Sequence, residues 1–192
     1  TKESILSQNF EDIQWIVIDG DSTDETLDSL NDIPDDFELI LVSEKDNGIY
    51  EAMSKGVKLS TGRYLQFLNA GDIYFDKTSL SKVFKLPGFD ACYTDFSVTD
   101  QGFNEIFYGK PKGFSIDNFR DFGTAAVNHQ AFYIKKEFYI DYSGKYKLKG
   151  ELDWYINILR KHPNIRTKYL KKPTIRFRVG GAGNIRYIEN LL

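Results

Sequence analysis

Residues 64–75 read YLQFLNAGDIYF. An apolar run breaks off in Asn69, Ala70, Gly71 and Asp72, then resumes at Ile73, Tyr74 and Phe75. Turns prefer Asn, Gly and Asp for backbone reasons, so a turn is the plain reading. The sharper reading is a strand end that presents oxygen atoms to a metal or a sugar phosphate. Neighbouring strands decide between them.

Upstream, IQWIVIDG (13–20) is a β-branched run ending in Asp19 and Gly20, the pattern of a buried strand in a parallel sheet. DSTDETLDSL (21–30) follows, with Ser22 or Thr23 placed to cap a helix and acids in its first turn, which predicts a helix there. FELILVSE (37–44) predicts a second strand. In NGIYEAMSKGVKLS (47–60), Ile49, Ala52, Met53 and Val57 fall at helical spacing before a Thr-Gly stop. RYLQFLN (63–69) is then the third strand. Strand, helix, strand, helix, strand is the order of an α/β domain with right-handed crossovers and a mostly parallel sheet flanked by helices.

In open α/β sheets, ligands gather beyond the carboxyl ends of the strands. Three successive ends carry polar groups: Asp19 and Asp21, Glu44 and Asp46, Asn69 and Asp72. Hard oxygen donors in that setting suit a nucleotide with Mg²⁺ or Mn²⁺. Neither the glycine-rich dinucleotide fingerprint nor the phosphate-cradling P-loop is present.

The second half has a looser pattern. KTSLSKVFKL (77–86) predicts a short helix, FDACYTDFSV (89–98) a strand, and GFNEIFYGKPKGFS (102–115) an irregular or hairpin segment. HQAFYIKKEFYI (129–140) predicts a strand into a turn, ELDWYINILRK (151–161) an amphipathic helix, and IRTKYLKKPTIRFRVGGAGN (165–184) a basic strand or two with a glycine-rich loop. Residues 1–100 hold 8 Lys and Arg against 20 Asp and Glu, and residues 101–192 hold 17 against 8. An acidic half beside a basic half suits a site with a metal on one side and phosphates on the other, and equally two solvated faces. Zinc-finger spacing and a basic arm are lacking, which argues against nucleic acid. No run reaches the roughly 20 apolar residues of a membrane span, and no signal-peptide pattern opens the chain. The single Cys92 excludes an internal disulfide and fits a reducing compartment.

Four blocks in order resemble the inverting glycosyltransferases of family 2, with the GT-A fold. IVIDGDSTDET is similar to the family's strand-end VDDGSTDGT. SEKDNGIYEAMSKGVKLSTGRYLQFLNAGD resembles the block that closes with the metal motif. ELDW resembles the helix bearing the catalytic acid, and FRVGGAGN the late GG-S loop. NHQAFYIKK is similar to an acceptor-side segment of bacterial polysaccharide members. The resemblance covers nearly the whole chain, which reads as one domain: 1–72 a nucleotide-binding half, 73–192 an acceptor-binding half. Family members begin with a strand reading like VTYN and a helix; this chain starts inside that helix, so a first strand is expected to be missing from the sequence.

The resemblance implies that Asp19 contacts the donor base, with Asp21 and Asp46 near base or ribose. Asn69 to Asp72 would occupy the metal-binding Asp-X-Asp position, departing from it in having only one carboxylate. Asp153 resembles the catalytic base, with Glu151 as the second candidate; two residues apart on a helix, they point to different faces. His129 and Gln130 would touch acceptor or diphosphate, and Arg178, with Arg176 and the glycine loop, would neutralise the leaving diphosphate. Implied partners are a nucleotide-sugar donor and a saccharide or lipid-linked acceptor. Implied setting is bacterial surface-polysaccharide assembly: cytoplasmic, with peripheral association at the inner membrane face. Two other classes fit less of the pattern: a non-catalytic nucleotide- or carbohydrate-binding domain, and a nucleotidyltransferase, against which the missing phosphate loop counts.

Overall fold

The computed structural model describes residues 1–143, 146 and 150–180. Its helices are α1 (Lys2–Leu6), α2 (Ile49–Leu59), α3 (Ser79–Phe84), α4 (Ile116–Phe122) and α5 (Gly150–Lys161). Its strands are β1 (Trp15–Asp19), β2 (Leu39–Ser43), β3 (Tyr64–Gln66), β4 (Ile73–Tyr74), β5 (Ala91–Thr99), β6 (Glu105–Gly109), β7 (Phe132–Lys135) and β8 (Thr167–Arg178).

Strands β1 and β2 pair in parallel as a two-stranded sheet. A six-stranded sheet runs β3-β7-β5-β8-β4, with β6 on β5. The expected mostly parallel sheet is therefore mixed: β5–β8 is parallel, while β3–β7, β4–β8, β5–β6 and β5–β7 are antiparallel. The physical reason is local, since the hairpin through residues 100–104 turns β6 directly back on β5 and needs no crossover.

The helix expected over 21–30 does not form. Asp19 draws in Ser22, and Asp24 Oδ1 accepts from the Thr26 amide at 3.0 Å. Such side-chain bonds compete with a helical backbone. Only a 3₁₀ turn at Asp28–Leu30 remains. The other expected elements are present.

Period-two alternation divides the core between the sheet's faces. From β5 and β7, Ala91, Phe132 and Ile134 join α5 residues Trp154, Tyr155 and Ile158 on one face. Cys92, Phe96, Val98 and Tyr133 join Leu80 and Val83 of α3 on the other. Trp154 and Tyr155 are core and form no exposed platform for a sugar. Helix α2 buries Met53 and Val57, and its Gly56 lies close to Ile16 and Ile18 of β1, so α2 joins the small sheet to the large one. No helix among the described residues is long and apolar enough to cross a membrane.

Candidate functional site

The first group of site residues lies where β1 and β2 end side by side. Asp19, 6% exposed, accepts from the Ser22 amide (2.9 Å) and hydroxyl (2.5 Å) and from the Ser43 hydroxyl (2.6 Å). Those hydroxyl bonds, Ser22 first, hold its carboxyl below the usual range. Asp21 follows with φ +68°, exposed. A Cβ on Gly20 would stand 3.3 Å from Asp46 Oδ2, so the ends of β1 and β2 do meet. Asp46 Oδ1 accepts the Gly48 amide at 2.8 Å, and Gly48, at φ +119°, opens α2. In that first turn Glu51 accepts from the Asn47 amide and side chain, which lowers its carboxyl to about 2.

The second group answers the question posed by residues 69–72. The Asp72 amide donates to the Asn69 carbonyl at 3.1 Å, and Gly71 sits at φ +93°, a left-handed position suited to glycine. The segment is thus a turn, and it delivers a carboxylate. Asp72 is 3% exposed; its Oδ1 accepts the Arg178 amide (2.9 Å) and its Oδ2 the Gln130 side chain (3.1 Å). Burial outweighs these bonds and raises its carboxyl to about 6. The Arg178 guanidinium packs against Gly71, where a Cβ would be 2.6 Å from Nη2, and over the Phe103 ring. Asp72, Gln130 and Arg178 are therefore brought together. Arg176 instead lies over Phe75. Residues 181–184 of the glycine loop lie outside the described residues.

As for a divalent ion, no group of three or more His, Cys, Asp or Glu occurs among the described residues. Each Asp72 oxygen accepts one hydrogen bond and keeps further lone-pair capacity. A lone carboxylate near a neutral amide fits an ion shared with a diphosphate, and does not fit one held by protein alone.

The third group surrounds the start of α5. The Tyr50 hydroxyl donates to Glu151 Oε2 and accepts the Gly150 amide at 2.7 Å. Tyr50 packs against Tyr142 with the rings tilted by 30° and centroids 4.7 Å apart, and the Tyr142 hydroxyl bonds His129 Nε2 at 3.0 Å. His129 also meets the rings of Phe67, Trp154 and Tyr155. Burial lowers its pKa to about 4, partly opposed by Glu151. Asp153, the first choice for the base, accepts from Asn157 one helical turn on, at 3.1 Å. His162, just past the end of α5, packs edge-on against Phe138 at 5.0 Å.

The three groups adjoin along the chain: Asp46 precedes α2, which carries Tyr50, and His129 precedes Gln130. Tyr50 and Tyr142 are site neighbours that the sequence does not single out. The only signal for Tyr50 was an aromatic residue just past Asp-Asn-Gly, off the apolar stripe of α2.

Because the folded pKa of His129 is depressed, its neutral form is the one the fold favours. This contribution is complete above the unfolded value of about 6.5 and is lost as pH falls toward about 4. His129→Phe should flatten stability against pH across that window in denaturant titrations; an unchanged slope would remove His129 as its source.

Among known proteins, the chain is similar to the PGL/p-HBAD biosynthesis glycosyltransferase of Mycobacterium tuberculosis, 30% identical over 177 residues, 88% of this chain and 66% of that protein. A shorter stretch of 81 residues is 36% identical to the UDP-Glc:alpha-D-GlcNAc-diphosphoundecaprenol beta-1,3-glucosyltransferase WfaP of Escherichia coli, covering 42% of this chain and 32% of that one. The chain thus spans 66% of the length of the mycobacterial relative. By fold it is similar to S. aureus TarS 1–349 in complex with UDP (TM-score 0.66, 14% identity, 93% of this chain and 55% of that one). It is similarly close to mannosyltransferase PcManGT from Pyrobaculum calidifontis, with GDP-Man and Mn²⁺ (TM-score 0.65, 16% identity, 97% and 54%). The fold is GT-A. The family model "Glycosyl transferase family 2" matches residues 1–182, and the chain belongs to that family.

Proposed function

We propose that this chain is an inverting glycosyltransferase domain that moves a sugar from a nucleotide-diphospho-sugar to a saccharide hydroxyl, on a lipid-linked acceptor at the cytoplasmic membrane face. Residues 1–72 take the nucleotide and 73–192 the acceptor. One observation carries the reading: Tyr50, four residues after Asp46, ties Glu151 to the first turn of α2. A candidate base is thereby tied to the helix that follows Asp46, and would face a nucleotide held at the end of the small sheet. WfaP's name, with a UDP-sugar donor and a diphosphoundecaprenol acceptor, supports the partner classes.

Asp19 and Asp46 would receive the base and ribose, with Asp21 beside them. Glu151 is the better candidate base. It has no ion-pair partner among the described residues, and Tyr50 occupies only Oε2. The acceptor oxygen attacks C1, its proton passes to Glu151, and the C1–O bond to the diphosphate breaks with inversion. Arg178 and Gln130, both bonded to Asp72, would supply donors to the departing charge. A bound Mg²⁺ or Mn²⁺ would rest on Asp72, with Asn69 at hand, and neutralise diphosphate charge. A non-catalytic binding domain is the second reading, favoured by the single carboxylate of the metal turn.

The test is a panel of UDP-glucose, UDP-GlcNAc and GDP-mannose, titrated by calorimetry and followed for nucleotide release with and without Mn²⁺. Binding with turnover supports a transferase, and binding without turnover supports the second reading. Asp72→Asn should weaken donor binding about tenfold with Mn²⁺ and much less without it. Equal losses in both would leave Asp72 as a turn residue alone.

A further inference from the structure

Tyr50 is placed to fix one carboxylate in one orientation. Its phenol has a single proton, which goes to Glu151 Oε2, and the phenol oxygen itself accepts the Gly150 amide at 2.7 Å. With both roles taken, the hydroxyl has little freedom to rotate toward another acceptor. Ring position is set as well, by the tilted contact with Tyr142, ring centroids 4.7 Å apart, and by Gly150. A Cβ at Gly150 would lie 2.8 Å from Tyr50 Cε2, so the first residue of α5 is a glycine where the helix closes on the ring. Nearby, the Tyr155 hydroxyl is buried without a hydrogen-bond partner among the described residues, and Glu151 and Tyr50 are the groups that act on it electrostatically. A buried orphan hydroxyl beside a carboxylate leaves one polar partner wanting there.

We infer that Tyr50 is a positioning residue: it holds Glu151 by Oε2 so that Oε1 faces the incoming acceptor hydroxyl. This rests on Glu151 being the base. Tyr50 touches neither donor nor acceptor in this scheme, and acts through the carboxylate. Proton removal needs the receiving oxygen within hydrogen-bond reach of the hydroxyl. A carboxylate free to rotate about its side chain meets that condition for only part of the time.

Tyr50→Phe keeps the ring, its contact with Tyr142 and the space beside Gly150, and removes only the hydroxyl. The assay is single-turnover nucleotide release from whichever of UDP-glucose, UDP-GlcNAc and GDP-mannose the unsubstituted chain hydrolyses fastest, with water standing in for the acceptor. The rate should fall about ten- to hundredfold, the range for loss of a hydrogen bond to a charged group. Donor affinity should stay within about twofold, since the base does not touch the nucleotide. Placed on Glu151→Gln, the same change should cost nothing further, because residues that act as one unit are not additive. A full-sized loss on the Glu151→Gln background, or no loss on the native one, would overturn the role of Tyr50. Native turnover by Glu151→Gln, or no hydrolysis of any of the three donors by the unsubstituted chain, would instead overturn the reading beneath it.

Discussion

Glu151→Gln should lower transfer by about 10²–10⁴-fold, the usual contribution of a general base. Nucleotide affinity should be almost unchanged. Gln keeps the shape, the place at the start of α5 and an oxygen for the Tyr50 hydroxyl, but it cannot take a proton from the acceptor. Asp153→Asn is the matched control. Its carboxylate is engaged along its own helix with Asn157 at 3.1 Å, an exchange an amide side chain can reproduce. Turnover there should stay within about threefold, as expected of a group that contributes only an i,i+4 contact. Single-turnover rates and donor affinities in both variants separate the two carboxylates. A dead Asp153→Asn with an active Glu151→Gln would reverse the assignment.

The second large effect concerns the frame of the sheet. Asp90 is 4% exposed just before β5 and accepts from Lys135 Nζ (2.6 Å), the Arg166 amide (3.0 Å), Nε (2.9 Å) and Nη2 (2.8 Å). It therefore joins the start of β5 to the end of β7 and the approach to β8. The Arg166 side chain is 63% exposed, so solvent screens that arm. Among the described residues, the better enclosed Lys135 would keep as its ion-pair partner only Glu137, at 3.6 Å. Asp90→Ala should cost about 3 kcal/mol, the low end for removing one member of a buried pair. In a chain of this size that is a fall of roughly 6–12 °C in Tm. Arg166 first, then Lys135, hold the carboxyl well below the usual range. A depressed pKa gives stability that is present above the unfolded value, about 3.9, and lost as pH falls below it. Asp90→Asn should accordingly unfold with a shallower acid limb. A Tm within about 2 °C of the native chain for Asp90→Ala would place the strength of the frame elsewhere.

Local chemistry explains what could be read from sequence. Asp19, Asp46 and Asp72 stand out in the sequence because each lies at or shortly after the end of an apolar strand, and a strand's end is fixed by the residues beside it. The turn at Asn69–Asp72 was legible for the same reason, through Gly71. The helix over residues 21–30 was misread because caps and acids suggested one, whereas Leu27 and Leu30 alone give little apolar stripe to hold it. Nor could the sequence rank Glu151 above Asp153. What favours Glu151 is Tyr50, 101 residues away, and helical periodicity says nothing about a partner on another element. The mixed pairing of the large sheet was hidden likewise, since a strand's pattern shows burial more clearly than direction.

The Asp72 carboxylate reaches Gln130 across 58 residues of chain and Arg178 across 106. Each of these links closes a long loop, and loop-closure entropy must be met before such contacts repay it. The acidic half of the chain thus acquires its anchors only when the basic half has docked. During folding, the strand ends that carry Asp19 and Asp46 can form early from nearby residues, while the anchors of Asp72 and Glu151 wait for the whole chain. A fragment ending near residue 100 would retain the first group of site residues without the partners of the other two. The contacts that hold Asp72 and Glu151 thus belong to the completed fold and to no separate part of it.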